Sequence, residues 1–350
     1  MASTIPYCHG SGVEQGTVGD TLAFVIERKW HRPRHVATVG MTTVALSALV
    51  LGGCAGQDAE PEGGPQEAPA DVALDDPVTT ELDPAAEVEL LEPGSGELEV
   101  RTFAPTNDVL PPVTMDFDST SSVTADGTPQ EQHELPRRTA TFDQGVESDV
   151  NGAQRATLTF SSLAPSAEET GLDELLASAA GFEVTLVREP AGQITSSTLA
   201  APTEARGVAR QSVEQMAGAL AESGVILPDE PIGEGARWRV TRPNDDAVAP
   251  EMALTYTLLE IDGDDLTVAV DGTAAQSSDT LELPAEDGGE SVSLDVAQYS
   301  STASGELTFS LTGAAPTDGE LKYETTARYR GDSDAVTETS ATRELVFRTG

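Results

Sequence analysis

From Gly96 to the C-terminus the chain is written in short runs where apolar and polar residues alternate. Leu98–Phe103, Thr114–Phe117, Thr139–Phe142, Ala156–Phe160 and Phe182–Leu186 all alternate at period two. Trp238–Val240, Leu254–Leu258, Leu266–Val270, Leu307–Leu311, Tyr323–Tyr329 and Glu344–Phe347 continue the pattern. That period puts one face of a strand on a core and the other in water. The separators are turn-prone: Pro190-Ala191-Gly192, Asp262-Gly263-Asp264-Asp265, Asp318-Gly319 and Gly331-Asp332. Two segments switch to helical spacing. Residues 166–180 place Leu172, Leu175, Leu176 and Ala179 on one face, with Gly181 as a stop. Residues 203–223 place Ala209, Val213, Met216 and Leu220 in one apolar stripe, with Thr203 as N-cap and Gly224 as the stop. We expect a mostly β (α+β) fold: an antiparallel twisted sheet or half-barrel built from hairpins, with one long amphipathic helix packed on it and a second, short helix.

We expect an internal repeat within this region. Val100–Phe117 and Val240–Tyr256 both read as strand, a loop with Pro and Asn-Asp, a second Pro, then a strand ending in an aromatic. It implies two similar halves in one β-rich domain spanning 96–350.

The N-terminal third has a different pattern. Residues 36–53 are uncharged and apolar or small, and a basic stretch (Arg28, Lys29, Arg32, Arg34) precedes them. A basic region followed by an apolar run is a secretion signal, which we assign to residues 1–53. Residues 1–24 fit no signal, and we expect translation to begin later, with Val25 as the candidate start. Leu51-Gly52-Gly53-Cys54 closes the apolar run. These four residues resemble the lipobox of bacterial lipoproteins. The resemblance implies cleavage before Cys54, acylation of its thiol, and a membrane anchor on the extracytoplasmic face of the cell membrane. The remaining cysteine, Cys8, lies in the removed part, so the mature chain has no disulfide.

Residues 55–93 contain no basic residue, twelve acidic residues and six prolines. Such a composition cannot bury enough apolar surface to offset its ordering entropy. We expect the segment 54–95 to be the lipidated cysteine followed by a disordered tether.

A second resemblance rests on Val225–Trp238, in which Pro228, Pro231 and Gly235-Ala236-Arg237-Trp238 follow the long helix. This block resembles the helix, Pro, Gly-x-x-Trp, strand junction of a family of bacterial secreted and lipid-anchored proteins defined only as a domain of unknown function. It implies a fold and a location but no activity. The sheet-and-helix layout is also similar to half-barrel lipoproteins that carry lipids across bacterial envelopes, a similarity of architecture alone.

Charge narrows the partners. The 350 residues hold 60 acidic and 19 basic side chains, a formal net of −41. The part from Gly94 onward keeps 45 acidic and 15 basic, still −30. A nucleic-acid partner needs a basic face, and anionic lipid headgroups attract one, so both are excluded as charge-driven partners. Membrane attachment falls to Cys54.

Candidate chemistry is sparse. His133 is the only histidine after the signal and reads as part of an exposed turn, Gln130–Glu134. No Gly-x-Ser-x-Gly elbow, Cys/His cluster or phosphate loop occurs. Asp262–Asp265 and Asn244-Asp245-Asp246 are oxygen-rich, yet neither continues as a calcium loop. Arg330-Gly331-Asp332 spells an adhesion tripeptide and reads as a hairpin tip. Trp238 reads as a core anchor, and Arg237 as a rim charge. We therefore assign no catalytic, cofactor or metal residue. The expectation is a non-enzymatic protein that binds an apolar ligand or a protein partner, or a structural envelope protein with a filled core.

Overall fold

The computed structural model describes residues 72–82, 86–149, 152–167, 171–243, 247–283, 292–331 and 335–349. Within these ranges the chain is mostly antiparallel β, with two helices. The expected signal, Cys54 and the segment through 71 lie outside the described residues.

One sheet dominates. Its continuous path runs β1 (Val78–Glu81), β8 (Ile194–Ala200), β7 (Glu183–Arg188), β6 (Gln154–Pro165), β5 (Thr128–Ser148) and β4 (Val113–Ala125). It continues through β16 (Val336–Thr349), β15 (Pro316–Arg330), β14 (Val292–Ser310), β12 (Asp265–Ala274), β11 (Glu251–Asp262), β10 (Arg237–Pro243) and β2 (Glu87–Glu92). A short β13 (Thr280–Leu283) pairs with the start of β14, and β3 (Ser95–Glu99) pairs separately with β9 (Ile232–Glu234).

The two edge strands are consecutive in sequence. Laid flat, thirteen strands at about 4.8 Å spacing would set the edges about 58 Å apart. Six residue steps, from Glu81 to Glu87, reach at most about 22 Å. The sheet must therefore curl until its edges stand near one another. Leu82 N–H donates to Thr195 O at 2.9 Å and Ala86 N–H to Gln193 Oε1 at 3.1 Å, so both ends of the bridging stretch are fastened beside β8.

This corrects the expected tether. Residues 78–81 and 87–92 are strands, and Leu82, Ala86, Val88 and Leu90 pack against the core. Composition alone underrates the segment because its apolar residues complete a surface built by distant strands.

The inward positions form one continuous core. Phe142, Phe160 and Phe182 make a chain of ring contacts with centroids 5.6 and 6.4 Å apart. Trp238 stacks on Tyr256 at 5.4 Å, and both are buried. A smaller cluster of Val248, Leu281, Leu294, Val296, Ala327 and Tyr329 lies where the long strands β14 and β15 extend past the main core.

Helix α1 covers Leu172–Ala177 and α2 covers Gly207–Ser223. The expected stripe Ala209, Val213, Met216 and Leu220 is buried in the core, joined by Ala217 and Ala219. Gly207, Val208, Gln211, Glu214, Gly218 and Glu222 face solvent. The helix starts four residues later than its spacing suggests. Thr203 is not the N-cap: its N–H donates to Ala73 O at 3.0 Å, holding it in a turn, and Arg206 takes the cap position. After Gly224, residues Val225–Pro228 run buried, and Leu227 N–H donates to Ala191 O at 2.7 Å. Gly192 lets this segment pass. Its φ is +103°, and a Cβ there would stand 2.2 Å from Val225 O.

Several local expectations are corrected. Of the 98–103 region only Leu98 and Glu99 are strand, at the end of β3. Phe103 instead turns into the core against Phe309, its N–H fixed to Pro190 O and that of Ala104 to Leu311 O. Asp318-Gly319 is no turn but lies inside β15, next to a register shift opposite Thr308 and Phe309. At Gly319 φ is +109°, and a Cβ would meet Glu306 O at 2.1 Å, so the glycine marks a bulge rather than a reversal. His133 lies within β5 rather than in a turn, the reversal falling at Asp126-Gly127. The two halves of the suspected repeat differ, since Val240 is in β10 while Val100–Pro112 carries no strand.

Candidate functional site

The densest group of functional side chains gathers at the C-terminal end of α2. Arg242 on β10 donates from Nη1 to Glu222 O at 2.6 Å and from Nη2 to Gly224 O. Arg343 on β16 donates to the Glu222 carboxylate, and its guanidinium lies 4.5 Å from the centroid of the Tyr323 ring. The last carbonyls of a helix are unpaired and carry partial negative charge, so two guanidinium groups here are favourably placed. Trp238 donates Nε1–H to Ile226 O at 2.7 Å, fixing the chain just beyond the helix.

The electrostatics follow from burial. Burial pushes the Tyr323 hydroxyl up to about 12. Burial also raises Tyr256, against the opposing charge and hydrogen bond of Arg242. For Arg343 burial acts downward, but Glu222 and Tyr323 outweigh it and hold the group above its usual value. Two phenols kept neutral and the Arg343 guanidinium kept charged supply neither a nucleophile nor a base near neutral pH. What the group does is dock α2 onto β10 and β16.

A second network ties Arg188, at the end of β7, to the loop between β14 and β15. Arg188 donates to Gln154 Oε1 at 3.3 Å, Gly313 O at 3.1 Å and Ala314 O at 2.7 Å, and it lies 4.5 Å over Phe103. Gln144 Oε1 accepts from the N–H groups of Ala314 and Ala315, while its amide donates to Pro111 O. Burial lowers Arg188 to about 10, which still leaves it charged.

On the outer face, a polar hollow of about 290 Å³ opens across β4, β16, β15 and β14. Register explains its lining. Thr124, Glu338, Arg328 and Gln298 form one cross-strand row, and Ser122, Ser340 and Thr326 the next. Arg328 and Glu338 pair at 3.3 Å and Ser122 and Ser340 at 2.8 Å. The hollow is lined by hydroxyls, an amide and an ion pair, which is unlike the apolar lining of a lipid cavity.

Of the residues singled out from sequence, Trp238 is buried, and Arg237 is an exposed rim charge paired with Glu92 at 3.3 Å. Asp262–Asp265 is the turn between β11 and β12. Arg330 ends β15. Cys54, Asn244–Asp246 and Asp332 lie outside the described residues, as does the side chain of His133. No group of three metal-ligating side chains forms among the described residues. Sequence reasoning missed the arginines around α2, because inward positions on β5, β10 and β16 become neighbours only when the sheet curls.

Comparisons with known proteins add little. No family model matches the chain, and no curated protein matches it. A solved structure of a protein of unknown function from the DUF3598 family of Nostoc punctiforme PCC 73102 aligns over 66% of this chain and 95% of that one, at 13% identity and a TM-score of 0.10. At that score the alignment carries no argument about fold or function.

Proposed function

We propose that this is a lipid-anchored protein of the extracytoplasmic membrane face, a non-enzymatic binding module that meets its partner through its surface. The order of parts carries the reading: a basic stretch, an apolar run, Leu51-Gly52-Gly53-Cys54, an acidic linker, then a fold. In this reading residues 55–71, which contain no basic residue, link Cys54 to the described domain. A link of seventeen residues spans at most about 60 Å, room to hold the domain clear of a headgroup layer that its net charge would repel.

Burial of the α2 residues Ala209, Val213, Met216 and Leu220 in the main core supports a long amphipathic helix packed on the sheet, and a filled core over a hollow carrier. Its apolar stripe and Val225–Pro228 occupy space that an apolar ligand would need. That observation favours a protein partner, or a purely structural role in the envelope, over an enclosed apolar ligand. No helix among the described residues is long and apolar enough to cross a membrane. In this reading attachment falls to the acyl chains on Cys54.

The test is labelling with a palmitate analogue in bacterial cells, followed by membrane fractionation. The wild type should incorporate label and sediment with membranes, and Cys54→Ser should lose the label. Equal labelling of the two proteins would refute the anchor.

A further inference from the structure

Buried guanidinium groups in this domain differ in what faces them. Arg343 faces the Glu222 carboxylate, Arg242 faces two helix-end carbonyls, and Arg188 has three oxygen acceptors. Arg138 is as buried as Arg188, each 5% exposed, yet its one hydrogen bond among the described residues runs from Nη1 to Gln215 Oε1 at 3.0 Å. No carboxylate of the described residues is paired with it, and burial alone pushes its pKa down. A buried cation without a counter-charge is unfavourable. The chain has 60 acidic residues, and nonetheless places a neutral amide at this contact.

The remaining donors of Arg138 are not sealed. Arg101, Arg188 and Arg242 each have an Nε buried without an acceptor, whereas Arg138 has no such nitrogen. Its backbone pairs with Phe117 on β4 and with Pro165 at the end of β6, and its side chain reaches α2. Arg138 thus links the end of β6, through its backbone, to α2, through its side chain. A guanidinium fork with free N–H groups matches the paired oxygens of a carboxylate or phosphodiester. The strongly negative chain disfavours a multiply charged ligand.

We propose that Arg138 and Gln215 form a binding site for a singly charged oxyanion, a carboxylate or a phosphodiester. This deepens the reading of the domain as a binding module. It does not depend on Cys54, so loss of the anchor and loss of this site are separately observable.

The experiment is thermal unfolding of the full-length protein in sodium acetate or sodium dimethyl phosphate, against sodium chloride at equal ionic strength. Binding to the native state raises Tm with increasing ligand. The wild type should show a saturable rise with at least one probe. Acetate alone marks a free carboxylate, and dimethyl phosphate alone marks a phosphodiester such as a lipid headgroup carries. Arg138→Leu should abolish the rise. Gln215→Glu should also abolish it, since its carboxylate would occupy the fork from within the chain, and should raise Tm in chloride; this variant keeps the test informative if Arg138→Leu fails to fold. No saturable rise in the wild type, or an equal rise in Gln215→Glu, overturns the site.

Discussion

The indole N–H of Trp238 and the carbonyl of Ile226, 2.7 Å apart, join β10 to the segment that leaves α2. Both residues are buried, so neither group has water to fall back on. Trp238→Phe keeps much of the apolar bulk but leaves that carbonyl without its donor and opens a void beside Tyr256. The expected loss is about 2–3 kcal/mol. Urea unfolding followed by circular dichroism measures it, since Trp238 is the only tryptophan after Trp30 and the variant has no indole in the described domain to follow by fluorescence.

Tyr323 gives the fold an alkaline limit. Its folded value stands at about 12 because burial disfavours the phenolate. In the unfolded chain it titrates near 10. The neutral form is therefore favoured by folding, and that contribution is complete below about pH 10. It is lost as pH rises from about 10 to 12, because the unfolded chain releases the proton first. Tyr323→Phe should flatten the fall in stability over this window, and Tm measured from pH 9 to 12 shows whether it does. An unchanged slope would remove Tyr323 as the cause.

The strands found before Gly96 make truncation informative. A chain starting at Val72 keeps β1 on β8 and β2 on β10. A chain starting at Gly96 loses both, along with the core contacts of Leu82, Ala86, Val88 and Leu90. It also bares the edges of β8 and β10, which invites aggregation. The longer form should unfold cooperatively, and the shorter should be aggregated or lack a cooperative transition. Size-exclusion chromatography and thermal melts of the two distinguish these outcomes.

Most of the sheet is legible in the sequence, because half-buried antiparallel strands print their burial as alternation. Leu254–Leu258, Leu266–Val270 and Glu344–Phe347 lie in strands, with Leu254, Leu258, Leu266, Val270, Leu345 and Phe347 buried. What fails is what depends on distant partners. Glu87–Glu92 reads as acidic tether, yet Leu90 lies opposite Trp238 and Val88 opposite Val240. Gly319 reads as a turn signal, and only the register with β14 shows that it relieves a clash with Glu306. Thr203 has the chemistry of a cap, but its N–H is bound to Ala73. The candidate oxyanion site is equally non-local: Arg138 and Gln215 are 77 residues apart, and no spacing rule joins them.

The most direct measurement is the intact mass of the protein extracted with detergent from bacterial membranes. The account predicts a chain that begins at Cys54 and carries the added mass of a diacylglyceryl group. A chain that begins elsewhere, or one that begins at Cys54 with no acyl mass, would contradict it.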